Sequence, residues 1–522
     1  AARGGDPLLW QHLFWIFGHP EVYIVFLPAV GLVAMMVATF ARQPVEGYSW
    51  VVLSAVGTGF LSFGLWVHHM FTTGLPGISL GFFSAASEMV AFPTGIQIFC
   101  LLATVLTGRL VRSVPMLFIL GALAIFVLGG LTGVMVAIAP FDFQAHDSYF
   151  VVAHLHYVLI GGMVLPLIAA TIYFYPLMTA RLLSDRLGRW AFWLIFVGFN
   201  VTFLPMHITG LAGMPRRVYT YGSGLGLETL NLVSSLGAAV LFAGFALFVW
   251  SLMQPGKRQS GANPWNAGTL EWLPAKLPDE PWGLRSIPQI SSRYPLWQQP
   301  GLLDEVRSGQ GYLADAPEGR RETLITSAGD AVPQQCLRVG HPSFAPMVAA
   351  IFTGGAFIAP VFKAWWLACA SSLAALAAIL WWLWTGTGSI PEKHEKDVGC
   401  GLLLPLYAKG PASAGWWAML ITMVGDSTAF ASLIFGYFFF WTVRSDFPPA
   451  DAGPGMLLPL LAAASALLGW LALTAAKRWN QRHQRPRAQL AMAAAALAAI
   501  AAAVLLIMTP RLAGMDPTMH SY

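Results

Sequence analysis

The chain has 522 residues, of which 57% are hydrophobic and only 10% charged. Soluble domains carry roughly 25% charged residues, so a water-soluble globular protein is excluded. The net charge of +5 is modest and points to no nucleic-acid partner; the four cysteines (Cys100, Cys336, Cys369, Cys400) form no CxxC or CxxxC pair and suggest neither a disulfide framework nor a cysteine metal site.

Apolar stretches of about 20 residues, the length that crosses a bilayer, recur along the chain. They predict an all-α polytopic membrane protein with about twelve transmembrane helices: seven from about 14 to 253, two from about 345 to 386 and three from about 413 to 508. The chain opens without a methionine or a leader and stops at His520-Ser521-Tyr522, soon after a span. It reads as a segment cut at both ends.

The first span carries Gly18-His19-Pro20-Glu21-Val22-Tyr23. Ionisable groups at membrane depth are functional candidates. His19 and Tyr23 are four residues apart and share a helix face, whereas Glu21 lies about 200° round from His19. The second span ends in His68-His69, and the third holds Glu88, Thr94 and Gln97. The fifth has His154 and His156 near its start, diverging by about 200°, so they cannot readily share one metal.

Cytoplasmic loops collect Lys and Arg. Arg42, then Arg109 and Arg112, then Arg181, Arg186 and Arg189, then Lys257 and Arg258 fall in alternate loops, which assigns that side to the cytoplasm. On this topology all five histidines lie in one layer near the outer ends of their spans. A single buried histidine is ordinarily a hydrogen-bonded core residue; five at one depth point to metal, and neutral imidazole suits copper, iron and zinc. His19, His68 and His69 make a three-imidazole site with an open position. His154 and His156 suit axial ligation of two haems on opposite faces of one helix. Among the loops between the first seven spans, those on the opposite side hold no Lys or Arg except Arg216 and Arg217. Haem propionates are the anions such a pair would meet; a stray juxtamembrane pair is the bland alternative.

Residues 254–344 are rich in Pro, Gly and charge and read as a cytoplasmic linker. Residues 345–412 read as two connecting helices with a polar loop, in which Pro391-Glu392-Lys393-His394-Glu395-Lys396 is a solvated face. The Ala-rich stretch from 460 to 510 suits close helix packing.

Several of these motifs closely resemble the signatures of subunit I of the haem-copper oxidases. They are His19-Pro20-Glu21-Val22-Tyr23, Val67-His68-His69-Met70-Phe71-Thr72, His146-Asp147-Ser148-Tyr149, Val152-Ala153-His154-Leu155-His156-Tyr157 and Gly213-Met214-Pro215-Arg216-Arg217. They follow the family's order across residues 1–253, and Asn263-Pro264-Trp265 with Leu270-Glu271-Trp272 continues the match. Leu8 to Phe17 looks more like the cytochrome c oxidases than the ubiquinol oxidases. In residues 413–522, Trp416-Trp417-Ala418-Met419-Leu420, Asp426 and Gly436-Tyr437-Phe438-Phe439-Phe440 resemble an early helix of oxidase subunit III, and the 517–522 end resembles the entry to its next helix. Asp426 has a proton-supplying reading and a helix-packing one.

The resemblance implies a subunit I–III fusion, truncated here, in a prokaryotic inner membrane. Its reaction would be the reduction of O2 to water by electrons from cytochrome c, coupled to proton pumping. It implies copper on His19, His68 and His69, a high-spin haem on His154 and a low-spin haem on His156, both a-type. Magnesium would sit at His146 and Asp147, and propionates at Arg216 and Arg217. Tyr23 would be joined covalently to His19 and supply a proton and an electron. Glu21 would pass protons inward from an apolar pocket that raises its pKa. Oxidase subunit II, with a dinuclear copper site, would be the partner that receives electrons.

One departure stands out. Gln97 occupies the place of a lysine in a second proton pathway that also includes Thr94, and an amide cannot carry a proton as ammonium. Glu88, nine residues away, faces the opposite side of a continuous helix and so does not replace the lysine. Proton delivery would then rely more on Glu21. The alternatives are a ubiquinol oxidase on the same scaffold, a nitric oxide reductase, whose family lacks the Tyr23 motif, and a non-catalytic transporter or scaffold, which does not explain five histidines at one depth.

Overall fold

The computed structural model describes residues 6–254, 256–258, 263–273, 288–308, 321–327, 332–339, 343–386, 395–399, 401–408, 410–445, 447 and 455–512. The 517–522 motif, residues 391–394 and Cys400 lie outside these. The chain forms two compact units, Gly18–Met419 and Ala1–Phe17 with Leu420–Tyr522.

The elements run α1 (Pro7–Ala41), α2 (Tyr48–Ser62), a 3-10 turn (Trp66–Met70), α3 (Gly77–Met89), α4 (Ala91–Thr107), α5 (Val114–Val136), α6 (Ala139–Ala145) and α7 (Tyr149–Leu159). A π-helical turn (Ile160–Val164) leads into α8 (Leu165–Thr179), β1 (Arg181–Leu182), α9 (Asp185–Leu211), α10 (Glu228–Met253) and β2 (Lys257–Arg258). Then come the short α11 (Pro295–Gln298) and α12 (Leu302–Arg307), β3 (Arg321–Thr326), β4 (Pro333–Val339), α13 (Ala345–Val361) and α14 (Trp365–Gly386). The last elements are β5 (Glu395–Asp397), β6 (Leu403–Pro405), α15 (Ala414–Val443), α16 (Leu457–Gln481) and α17 (Arg485–Leu512). Among the described residues, ten helical stretches are long and apolar enough to cross a membrane, with α2 and α13 as shorter apolar helices. The fold is the all-α polytopic one expected.

Serine caps start three of the helices that build the larger unit. Ser113, Ser148 and Ser184 accept from Met116 N, Phe150 N and Leu187 N at the heads of α5, α7 and α9. α9 and α10 then approach backbone to backbone. A Cβ on Gly198 would fall 2.4 Å from Leu241 N, and one on Gly237 2.6 Å from Thr202 N. Such small residues are what lets membrane helices pack tightly, because lipid offers no hydrophobic drive between them.

Two regions carry more structure than their sequence pattern conveys. Glu88 and Gln97 stand on α3 and α4, which a single residue, Val90, separates while keeping helical φ and ψ (−71° and −18°). Pro93 has no N–H to offer the Met89 carbonyl, so the helical ladder is interrupted there. The linker is also not featureless. Trp265 Nε1 donates to Tyr173 O and Trp272 Nε1 to Tyr173 Oη, both at 2.8 Å, and Arg42 Nη1 reaches the carbonyls of Trp265 and Asn266 at 2.5 and 2.7 Å. Trp272 is 1% exposed. Residues 263–273 are therefore a clasp on the inner ends of α1 and α8, held by aromatic burial and satisfied indole donors.

Further on, β3 and β4 pair antiparallel, as do β5 and β6, and Cys336, Val398, Leu404 and Leu406 form a small apolar cluster. Lys396, expected on a solvated face, donates at 2.5 Å to buried Glu322. A buried carboxylate needs such a partner. In the other unit α16 packs on α17, with Ser465 Oγ donating to Ala498 O at 3.0 Å.

Tyr173→Phe should destabilise the protein by about 1–3 kcal/mol, because the buried Trp272 indole N–H loses its acceptor. Thermal unfolding of the purified protein measures this. Adding Trp272→Phe should cost less than the sum of the two single changes, since the orphaned donor is then gone; strict additivity would refute the coupling.

Candidate metal centre

Local backbone geometry brings the first three histidines together. His19 sits on α1 and is 6% exposed, while His68 and His69 lie on the tight 3-10 turn that follows α2. One ring nitrogen from each lies within 4.8 Å of the others. Nε2 of His68 is 3.1 Å from Nε2 of His69, and Nδ1 of His19 is 3.4 Å from the same atom.

Ser87 on α3 sets the tautomer of His68. Its hydroxyl donates to Phe83 O at 2.6 Å, so its oxygen is left to accept from His68 Nδ1, 2.7 Å away. The His68 lone pair therefore sits on Nε2, facing its neighbours. Lone pairs at such distances repel unless a proton or a metal cation lies between them. The donor set fits a soft-to-borderline cation such as copper. Tyr23 lies one turn beyond His19, with ring centroids 4.9 Å apart and inclined by 64°.

His154 and His156 have different surroundings, as their angular separation requires. His154 Nδ1 is 3.0 Å from Gly129 O and 3.1 Å from Thr132 Oγ1, both on α5. Gly133 leaves space for the ring, since a Cβ there would lie 2.9 Å from His154 Cε1. His156 Nδ1 donates to Val152 O at 2.7 Å, and its ring stacks on Phe203 of α9 at 4.1 Å. In both, Nδ1–H is engaged by a carbonyl, so Nε2 is the nitrogen left for a metal.

Two outer loops are tied together nearby. Asp147 pairs with Arg216, Arg216 N donates to Asp147 O at 2.8 Å, and Tyr149 N donates to Met214 O at 2.9 Å. His146 Nδ1 is 2.8 Å from Asp142 Oδ2. That hydrogen bond raises the His146 pKa, against the opposing pull of burial. Arg217 is exposed with a positive φ of 66°, while Arg216 is largely covered and its Nε is buried. His146 and Asp147 are thus each turned to another side chain rather than to each other.

The remaining site residues sit apart from the triad. Glu21 is on the exposed face of α1, so the described residues build no apolar pocket around it. The helix turn that buries His19 necessarily points Glu21 away. Gln97 on α4 is fully buried and both its amide atoms lack partners, whereas the Thr94 hydroxyl donates to Val90 O at 3.2 Å. Ser87, Gly129, Thr132 and Phe203 were not identified from sequence. Asp142 had a signal, its i,i+4 spacing to His146.

His69→Ala should abolish copper retention by the purified protein. Ser87→Ala should weaken it by roughly 10–100-fold in chelator competition, as removal of an orienting partner does. Unchanged retention in Ser87→Ala would show that the hydroxyl does not orient His68.

Comparison with known proteins follows this geometry. The family model for Cytochrome C and Quinol oxidase polypeptide I matches residues 1–240. Cytochrome c oxidase subunit 1 of Bacillus subtilis (strain 168) is 46% identical over 297 residues, covering 56% of this chain and 48% of that one. Cytochrome c oxidase subunit 1 of Bacillus sp. (strain PS3) is 40% identical over 362 residues, 69% of this chain and 54% of its own. Quinol oxidase subunit 1 of Bacillus subtilis (strain 168) is 41% identical over 294 residues, 56% of this chain and 45% of its own. The chain thus spans about half the length of the curated relatives it matches. It is a multi-pass protein of the prokaryotic cytoplasmic membrane. Residues 1–240 are therefore similar to subunit I of the cytochrome c and quinol oxidases.

Proposed function

We propose that this chain is the core of the oxygen-reducing subunit of a respiratory terminal oxidase, taking electrons from cytochrome c and coupling O2 reduction to proton translocation. The convergence of His19, His68 and His69 beside Tyr23 carries this reading. The three imidazoles would hold copper, His154 the iron of a high-spin haem and His156 that of a low-spin haem, both taken as a-type. Bound there, copper and haem supply the electrons and the oxygen-binding metals. The chain's own residues do the rest. The α5 carbonyl and hydroxyl fix His154, and Ser87 fixes His68, so that these two rings need not reorient. Tyr23 holds a proton at Oη within one helical turn of His19, where oxygen reduction consumes one. Glu21, on the opposite face, would receive protons from the cytoplasmic side.

Arg216 and Arg217 would meet haem propionates. Magnesium at His146 and Asp147 is a weaker fit, because these side chains are engaged by Asp142 and Arg216, and no step is assigned to it. Thr94 and Gln97 would line the second proton route. Gln97 can order water but cannot relay a proton as ammonium, so we infer that this route is altered and that Glu21 carries more of the delivery. Oxidase subunit II with its dinuclear copper would be the electron-donating partner. Residues 1–253 would be the subunit I part, 254–344 the linker, 345–412 the connecting helices, and 413–522, with Asp426, part of a fused subunit III. A ubiquinol oxidase is the second reading; a relative named quinol oxidase subunit 1 supports a quinol donor.

A reduced-minus-oxidised optical spectrum of the complete complex, with and without carbon monoxide, tests the reading. Haem bands with a carbon monoxide shift are expected, and their absence would overturn it. Turnover on cytochrome c against ubiquinol then decides the donor. Tyr23→Phe should lower O2 consumption by roughly 10²-fold or more with copper content unchanged. Gln97→Lys should speed haem reduction in single-turnover measurements; no acceleration would count against an altered second route.

A further inference from the structure

We infer that the inner end of α9, together with the loop before α5, binds the headgroup of an anionic phospholipid. Arg186 and Arg189 lie on the first turns of α9, and Arg112 lies in the loop that leads into α5. All three are exposed, and Arg189 Nη2 reaches Arg112 O at 3.4 Å, so the two segments share one patch. A Cβ on Gly188 would meet the Val114 side chain at 2.7 Å, which shows how closely α9 seats against the head of α5. Among the described residues no carboxylate forms an ion pair with these arginines, the nearby Asp185 included. The patch is cationic and uncompensated.

What lies above the patch selects a lipid over a soluble anion. At 100° per residue, Arg186, Arg189, Trp190, Trp193, Val197 and Leu204 fall within about a third of the α9 circumference. Trp190 is 58% and Trp193 52% exposed, and Val197 and Leu204 continue the exposed stripe toward the outer side. The opposite face, with Ile195 and Phe199, is fully buried. Along one helix face the order is therefore guanidinium, indole, aliphatic. That order matches phosphate, glycerol-ester and acyl regions of a lipid in the cytoplasmic leaflet. Ser113 and Ser184 cap the two adjacent helix heads, whose positive ends add to the attraction for phosphate.

The test is native mass spectrometry of the delipidated complete complex titrated with phosphatidylglycerol, phosphatidylcholine or inorganic phosphate. One tightly held phosphatidylglycerol is expected that neither of the others displaces. In the double variant Arg112→Gln/Arg189→Gln its retention should fall by roughly 30-fold, at about tenfold or less per arginine. The control Arg478→Gln/Arg482→Gln should leave it unchanged, and an unaltered melting temperature in lipid-free detergent certifies that the variants fold. Equal retention in the double variant, an equal loss in the control, or displacement by inorganic phosphate would each overturn the assignment.

Discussion

Nitrogen lone pairs crowded together away from water set the terms for the centre of this protein. His68 and His69 present ring nitrogens 3.1 Å apart, and His19 adds a third. Without a cation or a proton between them that arrangement is repulsive, and the surrounding fold has to hold it. Ser87 commits its own proton elsewhere and so forces His68 to present Nε2. The tight turn after α2 places two successive histidines against α1. The packing of α5 against α7 then orients His154 by the same device, a carbonyl that takes the Nδ1 proton. The rings of His68 and His154 are thus held by their neighbours with Nε2 free to bind.

The membrane made much of this legible in the chain. Spans have a fixed length, so residue number converts to depth, and arginine placement converts to sidedness. That was enough to gather His19, His68 and His69 and to separate His154 from His156 by angle. The groups that orient the rings were not legible. Gly129 acts through a backbone carbonyl, which leaves no mark in the sequence, and Ser87 looks like any helix serine. Composition read residues 254–344 as linker from their Pro, Gly and charge, and gave no sign that Trp265 and Trp272 would pack on Tyr173. Glu21 was expected in an apolar pocket; its angle from His19 was read correctly, but the described residues leave that face exposed. The one-residue interruption at Val90 follows from Pro93, which lacks the N–H that would meet the Met89 carbonyl.

The outer loops form a second level of organisation. Residues 146–149 and 213–217 are joined by backbone hydrogen bonds and by the Asp147–Arg216 pair. This fastens the loop before α7 to the loop after α9. The histidines of α7 thus enter the membrane from a fixed starting point. The clasp at residues 263–273 does the same for the inner ends of α1 and α8.

His154 and His156 share a single helix, and this makes α7 a ruler. Two residues along a helix advance about 3 Å and turn about 200°, and neither figure changes when neighbouring helices slide or tilt. The backbone positions from which the two rings project are therefore spaced by the covalent geometry and hydrogen bonds of one turn, while α5 and α9 set the ring orientations. Motions of one helix against another can proceed without altering that backbone spacing, so the separation of the two histidines along α7 is mechanically insulated from rearrangement of the helices around it.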